Sequence, residues 1–144
     1  MKYFLILVFL LSSTIVYADD LTKIAGKYNY EKYELVLSNG KALSMNDIGA
    51  KSINIEFRKD SSIFMEMNML DGKIIKTSAV IKKIEINHGK GYWIAQWPDM
   101  NYPVRKDFSF HDDLFEYQIK FKNKNDPMRY GATEHAVLRK INAF

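Results

Sequence analysis

The sequence predicts an all-β protein, an antiparallel up-and-down barrel of about eight strands, on three observations. Aromatic residues make up 14% of the chain while prolines number only 3 in 144 residues, a balance that favours strands. Apolar and polar residues alternate with period two in several segments, the repeat of a strand with one face buried. Asn-Gly, Asp-Gly and His-Gly pairs separate these segments, and short links between sequential strands build a meander. A closed meander also removes the two exposed edges that an open sheet would carry.

The chain begins MKYFLILVFLLSSTIVYADD. Lys2, the apolar run Tyr3 to Leu11, and small Val16 and Ala18 ahead of Asp19 have the layout of a secretory signal peptide over residues 1–18. The apolar run is well short of the roughly 20 residues that span a bilayer, so no stable membrane insertion is expected after cleavage. Removing 18 of 144 residues leaves 126 for one β-barrel domain over residues 19–144, enough to bury about two thirds of the unfolded surface. The expected destination is the periplasm or the extracellular medium. Abundant Lys, Ile and Asn beside a compact signal are in keeping with a bacterial chain of low-GC coding. With no cysteine, neither disulfides nor a lipid anchor at the cut can form, and the core must hold the domain alone.

The first strand is expected from about Ile24 to Leu37, ended by Ser38-Asn39-Gly40-Lys41, where Asn-Gly suits a tight turn. Residues 42–50 are polar and irregular, with room for one helical turn. Lys51 to Arg58 alternates cleanly, with Ile53, Ile55 and Phe57 on one face. Ser62 to Leu70 places Ile63, Met65, Met67 and Met69 together, and Asp71-Gly72 turns the chain into a long strand from Lys73 to Asn87. Apolar parity slips within that strand, which predicts a bend or bulge. After His88-Gly89-Lys90-Gly91, strands are expected over Tyr92 to Trp97, Val104 to Phe110, Leu114 to Lys122 and Thr133 to Ile141. The polar stretch Asn123-Lys124-Asn125-Asp126-Pro127 forms a loop.

Lys23-Ile24-Ala25-Gly26-Lys27-Tyr28 resembles the Gly-x-Trp start of the first strand in lipocalin-like (calycin) barrels, with Tyr in the place of Trp. In Ala136-Val137-Leu138-Arg139-Lys140-Ile141 an arginine stands where those barrels often set one over the first-strand aromatic. The resemblance therefore implies a barrel-closing pair of Tyr28 and Arg139, since a guanidinium stacks well on an aromatic face.

Function is less directly legible. The net charge of +4, or +3 without Lys2, is mild, and cations alternate with Asp and Glu, so no nucleic-acid stripe is present. His88, His111 and His135 lie in separate segments, no metal-ligand spacing appears, and no nucleophile motif stands out, so no enzyme and no cofactor are expected. His111-Asp112-Asp113 reads as a hairpin turn rather than a base with its orienting acid. Met65, Met67 and Met69 form a thioether stripe that suits a cavity for varied apolar ligands, or, as an alternative, a Cu(I) carrier. Trp93, Trp97 and Tyr102 belong to an aromatic segment that serves either as a barrel mouth contacting a ligand or as the barrel's plug. Tyr28, Tyr30 and Tyr33 form a group on the first strand, and Tyr117 shares an apolar face with Phe115, Ile119 and Phe121. Arg105 and Lys106 are expected to face solvent. The leading expectation is an exported binding protein holding a small apolar or amphipathic ligand, with Met65, Met67, Met69, Trp93, Trp97, Tyr102 and Tyr117 as its contacts. The alternative partner is another exported protein, met by an inhibitor or an envelope or host-directed accessory factor.

Overall fold

The computed structural model describes residues 20–141; the expected signal peptide lies outside the described residues. Nine strands follow a helical turn over residues 20–24. They are β1 (Gly26–Val36), β2 (Ala42–Ser44), β3 (Ala50–Phe57), β4 (Ser62–Met69), β5 (Ile74–Asn87), β6 (Lys90–Gln96), β7 (Val104–His111), β8 (Leu114–Lys120) and β9 (Thr133–Lys140). Every pairing is antiparallel, and β9 returns to β1, closing an eight-stranded barrel of β1 and β3 to β9. The short β2 pairs only with the far end of β1, through Glu34 to Val36. Among the described residues no helix is long and apolar enough to cross a membrane.

Two bulges explain how the sequence pattern meets the barrel. In β1 the register against β9 shifts between Tyr30 and Lys32, so Tyr33 joins Tyr28 and Tyr30 on the inner side despite its odd spacing. In β5 the register shifts between Ile81 and Lys83, and the buried set changes parity from Ala79 and Ile81 to Ile84. That is the slip the sequence predicts, since an extra residue reverses which side chains face in.

The meander puts alternate connections at opposite ends. One end carries the tight β3–β4, β5–β6 and β7–β8 turns; at β5–β6, His88 and Gly89 adopt φ of 51° and 73°, as a two-residue hairpin with matching twist requires. This end is closed by the helical turn over residues 20–24, which takes in Ile24, the residue at which the sequence suggests the first strand begins. Leu21 and Ile24, three residues apart on one helical face, are both essentially buried. The Tyr28 hydroxyl donates to the Ile24 carbonyl at 2.8 Å, satisfying a carbonyl that the short helix leaves open.

Above this floor lies an aromatic core. Phe115 stacks on Phe108 at 4.8 Å between centroids, and Trp93 lies 5.3 Å from Phe57 and 5.5 Å from Phe115. Tyr28 meets Phe57 edge-on at 5.7 Å. Rings offset or edge-on add to what their buried area contributes. The barrel-closing pair expected of Tyr28 and Arg139 is not made. Arg139 sits on the outer face, half exposed, where its Nε bonds the Glu31 carboxylate. The reason is parity: buried Ala136 and Leu138 define the inner face of β9, and residue 139 must point out. Burial, and secondarily the Asp113 charge, push the Tyr28 hydroxyl up to about 12.

Candidate functional site

The opposite end, with the longer connections, is hollow. A cavity of about 380 Å³ opens there, within the range of small-molecule sites. Its two sides differ in chemistry because of strand order. In the closed ring of eight, β4 stands across from β8, β5 from β9 and β3 from β7. The β3 to β5 side supplies Ile53, Met65, Met67, Ile75 and Thr77, an apolar wall of flexible thioethers and branched chains. The β7 to β9 side supplies Lys106, Tyr117 and Glu134.

These three polar residues join Tyr30 in one hydrogen-bonded chain. Lys106 Nζ lies 2.9 Å from Glu134 Oε1, with side chains only 10% and 13% exposed. The Tyr117 hydroxyl donates to the same oxygen at 2.5 Å, and Tyr30 lies 2.9 Å from the Tyr117 hydroxyl. Tyr117 has a single proton and gives it to Glu134, so Tyr30 donates to Tyr117. Burial, followed by the Glu134 charge, pushes both phenols far above their ordinary range. The Lys106 ammonium also sits 4.2 Å from the Tyr117 ring centre, a cation–π contact. Lys106 thus faces inward, contrary to the expectation that it faces solvent. Its neighbour Arg105 does face outward, over the Tyr92 ring at 3.8 Å and paired with Asp107 at 3.0 Å.

Two loops are tied together at the mouth. Arg129, from the β8–β9 connection, bonds Asp99 of the β6–β7 connection at 2.9 Å and Asp126 at 3.1 Å. Tyr102 donates to Asp126 at 2.7 Å. That hydroxyl, with Arg129 beside it, holds the Asp126 carboxyl below the usual carboxylate range. Burial and the Asp126 contact push Tyr102 up to about 12.

Of the residues singled out from sequence, Met65, Met67, Trp97 and Tyr117 line this cavity. Met69 does not; it packs by Gly49 at the start of β3, its Cε 3.4 Å from where a Cβ there would stand. Trp93 lies deeper, among the aromatic rings, and its Nε1 is a buried donor without a hydrogen-bond partner among the described residues. Tyr102 packs in a separate small cluster with Val104, Ile119, Phe121 and Ala132. Sequence reasoning missed Glu134, Arg129, Ile48 and Ile75. No histidine reaches the cavity: His88 and His111 are at the opposite end, and His135 bonds Glu116 at 2.6 Å. His111 and Asp112 contact one another at 2.9 Å in a solvent-exposed turn, with Asp112 at φ 53°. Among the described residues no group of three or more His, Asp or Glu side chains could hold a metal ion.

Fold and cavity together define a closed eight-stranded antiparallel barrel, calycin-like in outline, hollow at one end. No protein-family model, curated protein or solved structure matches the chain.

Proposed function

We propose that this chain is an exported, non-enzymatic binding protein of lipocalin-like type, which carries a small apolar or amphipathic ligand in its barrel and acts in the periplasm or outside the cell. The observation that carries this reading is the cavity of about 380 Å³ with Met65 and Met67 on its wall. Thioether side chains repack at low cost, so such a wall accepts apolar bodies of differing shape. The copper alternative lacks support of this kind, because the cavity lining contains no imidazole to join the thioethers.

The test is uptake of a neutral apolar dye, Nile red, together with native mass spectrometry of the protein taken from its own host. A saturable fluorescence gain that is lost in Met67→Trp, whose larger ring fills the space, is the expected result. No uptake by the folded wild-type chain, and a clean protein mass in every preparation, would overturn it.

A second reading, an interaction module that docks another exported protein, has its own support at the β4–β5 hairpin. Leu70 and Ile74 are each 59% exposed there, an unusual cost for tip residues in water. In that case Leu70→Ser with Ile74→Ser abolishes capture of the partner and leaves Nile red uptake unchanged.

A further inference from the structure

The polar wall of the cavity has bonding capacity that the protein itself leaves unused. Glu134 accepts both Lys106 and Tyr117 on Oε1, and no hydrogen bond reaches its Oε2 among the described residues. Lys106 carries three N–H donors, of which Glu134 takes one and the Tyr117 ring faces the ammonium. A buried ion pair is a poor way to stabilise a barrel, since apolar residues of similar volume serve at least as well. Its place on a cavity wall points to what the cavity receives.

The charges around the cavity also balance. Among the lining residues Lys106 and Arg129 are matched by Glu134 and Asp99, and Asp126, which also holds Arg129 from outside the lining, adds no positive charge, so the cavity has no excess cation with which to attract an anion. A ligand carboxylate reaching Lys106 would lie against the Glu134 carboxylate, and a ligand ammonium reaching Glu134 would lie against Lys106. Like charges in so enclosed a place repel strongly. An uncharged group that donates and accepts at once meets neither penalty.

We infer that the ligand is amphipathic with a neutral head, a carboxamide or a hydroxyl, that bonds Lys106 and Glu134 on the β7 to β9 side while its apolar body lies across the barrel against Met65, Met67 and Ile75. This rests on the binding-protein reading above and adds the chemistry of the head group. The ligand spans the barrel because strand order sets the two walls face to face.

The experiment displaces Nile red from the full mature chain at neutral pH with four probes of one chain length: octanamide, octanol, octanoate and octylamine. Octanamide and octanol are expected to displace the dye roughly tenfold more tightly than octanoate and octylamine, the scale of one hydrogen bond to a charged group. The double variant Lys106→Met with Glu134→Leu, with its fold checked by circular dichroism and each probe read relative to the variant's own affinity for the dye, is expected to lose that discrimination. Glu134→Gln, which frees the Lys106 charge while retaining a polar side chain, is expected to move octanoate ahead of octylamine. Equal displacement by all four probes, or an unchanged preference in the double variant, overturns the head-group assignment and leaves the carrier reading standing. If the wild-type chain takes up no Nile red, both fall together.

Discussion

Glu134→Leu tests the buried polar chain through its effect on stability. In the wild-type chain Lys106 and Glu134 are 2.9 Å apart with little exposure, so their attraction at an effective dielectric of about 20 is on the order of 6 kcal/mol. Most of that is spent on taking both charges out of water, and the net contribution of the intact pair is small. Removal of one partner is different, because the desolvation cost of the other then stands uncompensated, typically about 3–5 kcal/mol. Glu134→Leu leaves Lys106 only the Tyr117 ring and removes the acceptor of the Tyr117 hydroxyl, both enclosed by the barrel. Water entering from the cavity mouth can reach the ammonium, which places the expected loss at the lower end, about 3 kcal/mol. For a domain of this size that lowers the melting temperature by roughly 12 °C.

Lys106→Met costs less, about 2 kcal/mol, because Glu134 keeps the Tyr117 hydroxyl at 2.5 Å. The double variant is expected within about 1 kcal/mol of wild type, so the cycle shows a coupling of several kcal/mol. Urea unfolding followed by tryptophan fluorescence measures all four proteins. A Glu134→Leu loss below about 1 kcal/mol, or a double variant as unstable as the two single losses added, would refute the reasoning, because neither is compatible with an enclosed ion pair.

Two further outcomes are expected from the same structure. Tyr28 and Tyr102 are raised from 10.0 to about 12, and burial raises Tyr30, Tyr33 and Tyr117 as well. An unfolded chain loses phenolic protons near the ordinary value while the folded chain holds them. The contribution of the tyrosines to stability is therefore constant below pH 10 and is lost as pH rises towards about 12. Phenolate absorbance should appear together with unfolding, and full titration of the tyrosines in a chain with native fluorescence would contradict this. Gly91→Ala should cost about 3 kcal/mol or more, since a Cβ there would lie 2.0 Å from the Glu85 carbonyl oxygen, a backbone atom of the paired strand that cannot rotate away. Thermal unfolding checks it, and a near-neutral effect would mean that the β5–β6 ladder is looser than described.

Much of the barrel was legible because period-two patterning and turn pairs act locally. The strand over Lys51 to Arg58, the β5 parity slip and the His88-Gly89 hairpin all follow from residues within a few positions of each other. Tyr28 with Arg139 was misread because the pairing was taken from a family likeness and not from parity, which sends Arg139 outward once Ala136 and Leu138 face in. The same rule could have found the polar wall. Val104, Lys106 and Phe108 share one face of β7, and Glu134, Ala136 and Leu138 share one face of β9, so opposite charges stand at inward positions of two strands. Treating isolated cations as solvent-facing hid this. That Lys106 and Glu134 are one strand apart, with β8 between them, depends on register, which no local pattern carries.

The division of the barrel into a filled half and a hollow half also accounts for where its sequence is demanding. At the end with tight turns, Tyr28, Phe57, Trp93, Phe108 and Phe115 touch one another and Leu21 with Ile24 closes the floor. Such packing supplies the dispersion and burial that a domain without disulfides must obtain from its core. A hollow end forgoes those contacts, and a chain with a uniformly hollow barrel would have little left to hold its strands. Tyr117 stands between the two halves, its ring 5.9 Å from Trp93 and its hydroxyl on Glu134. The ring therefore anchors the polar chain in the rigid half, while the mouth is held by the Asp99–Arg129 and Tyr102–Asp126 contacts between loops. Because Tyr117 is fixed by packing and not by solvent-exposed groups, its hydroxyl holds the Glu134 carboxylate from the rigid half. On the proposed reading, a head group entering from the mouth would meet a polar wall already arranged, and the ordering cost that weakens binding to mobile side chains would be largely absent.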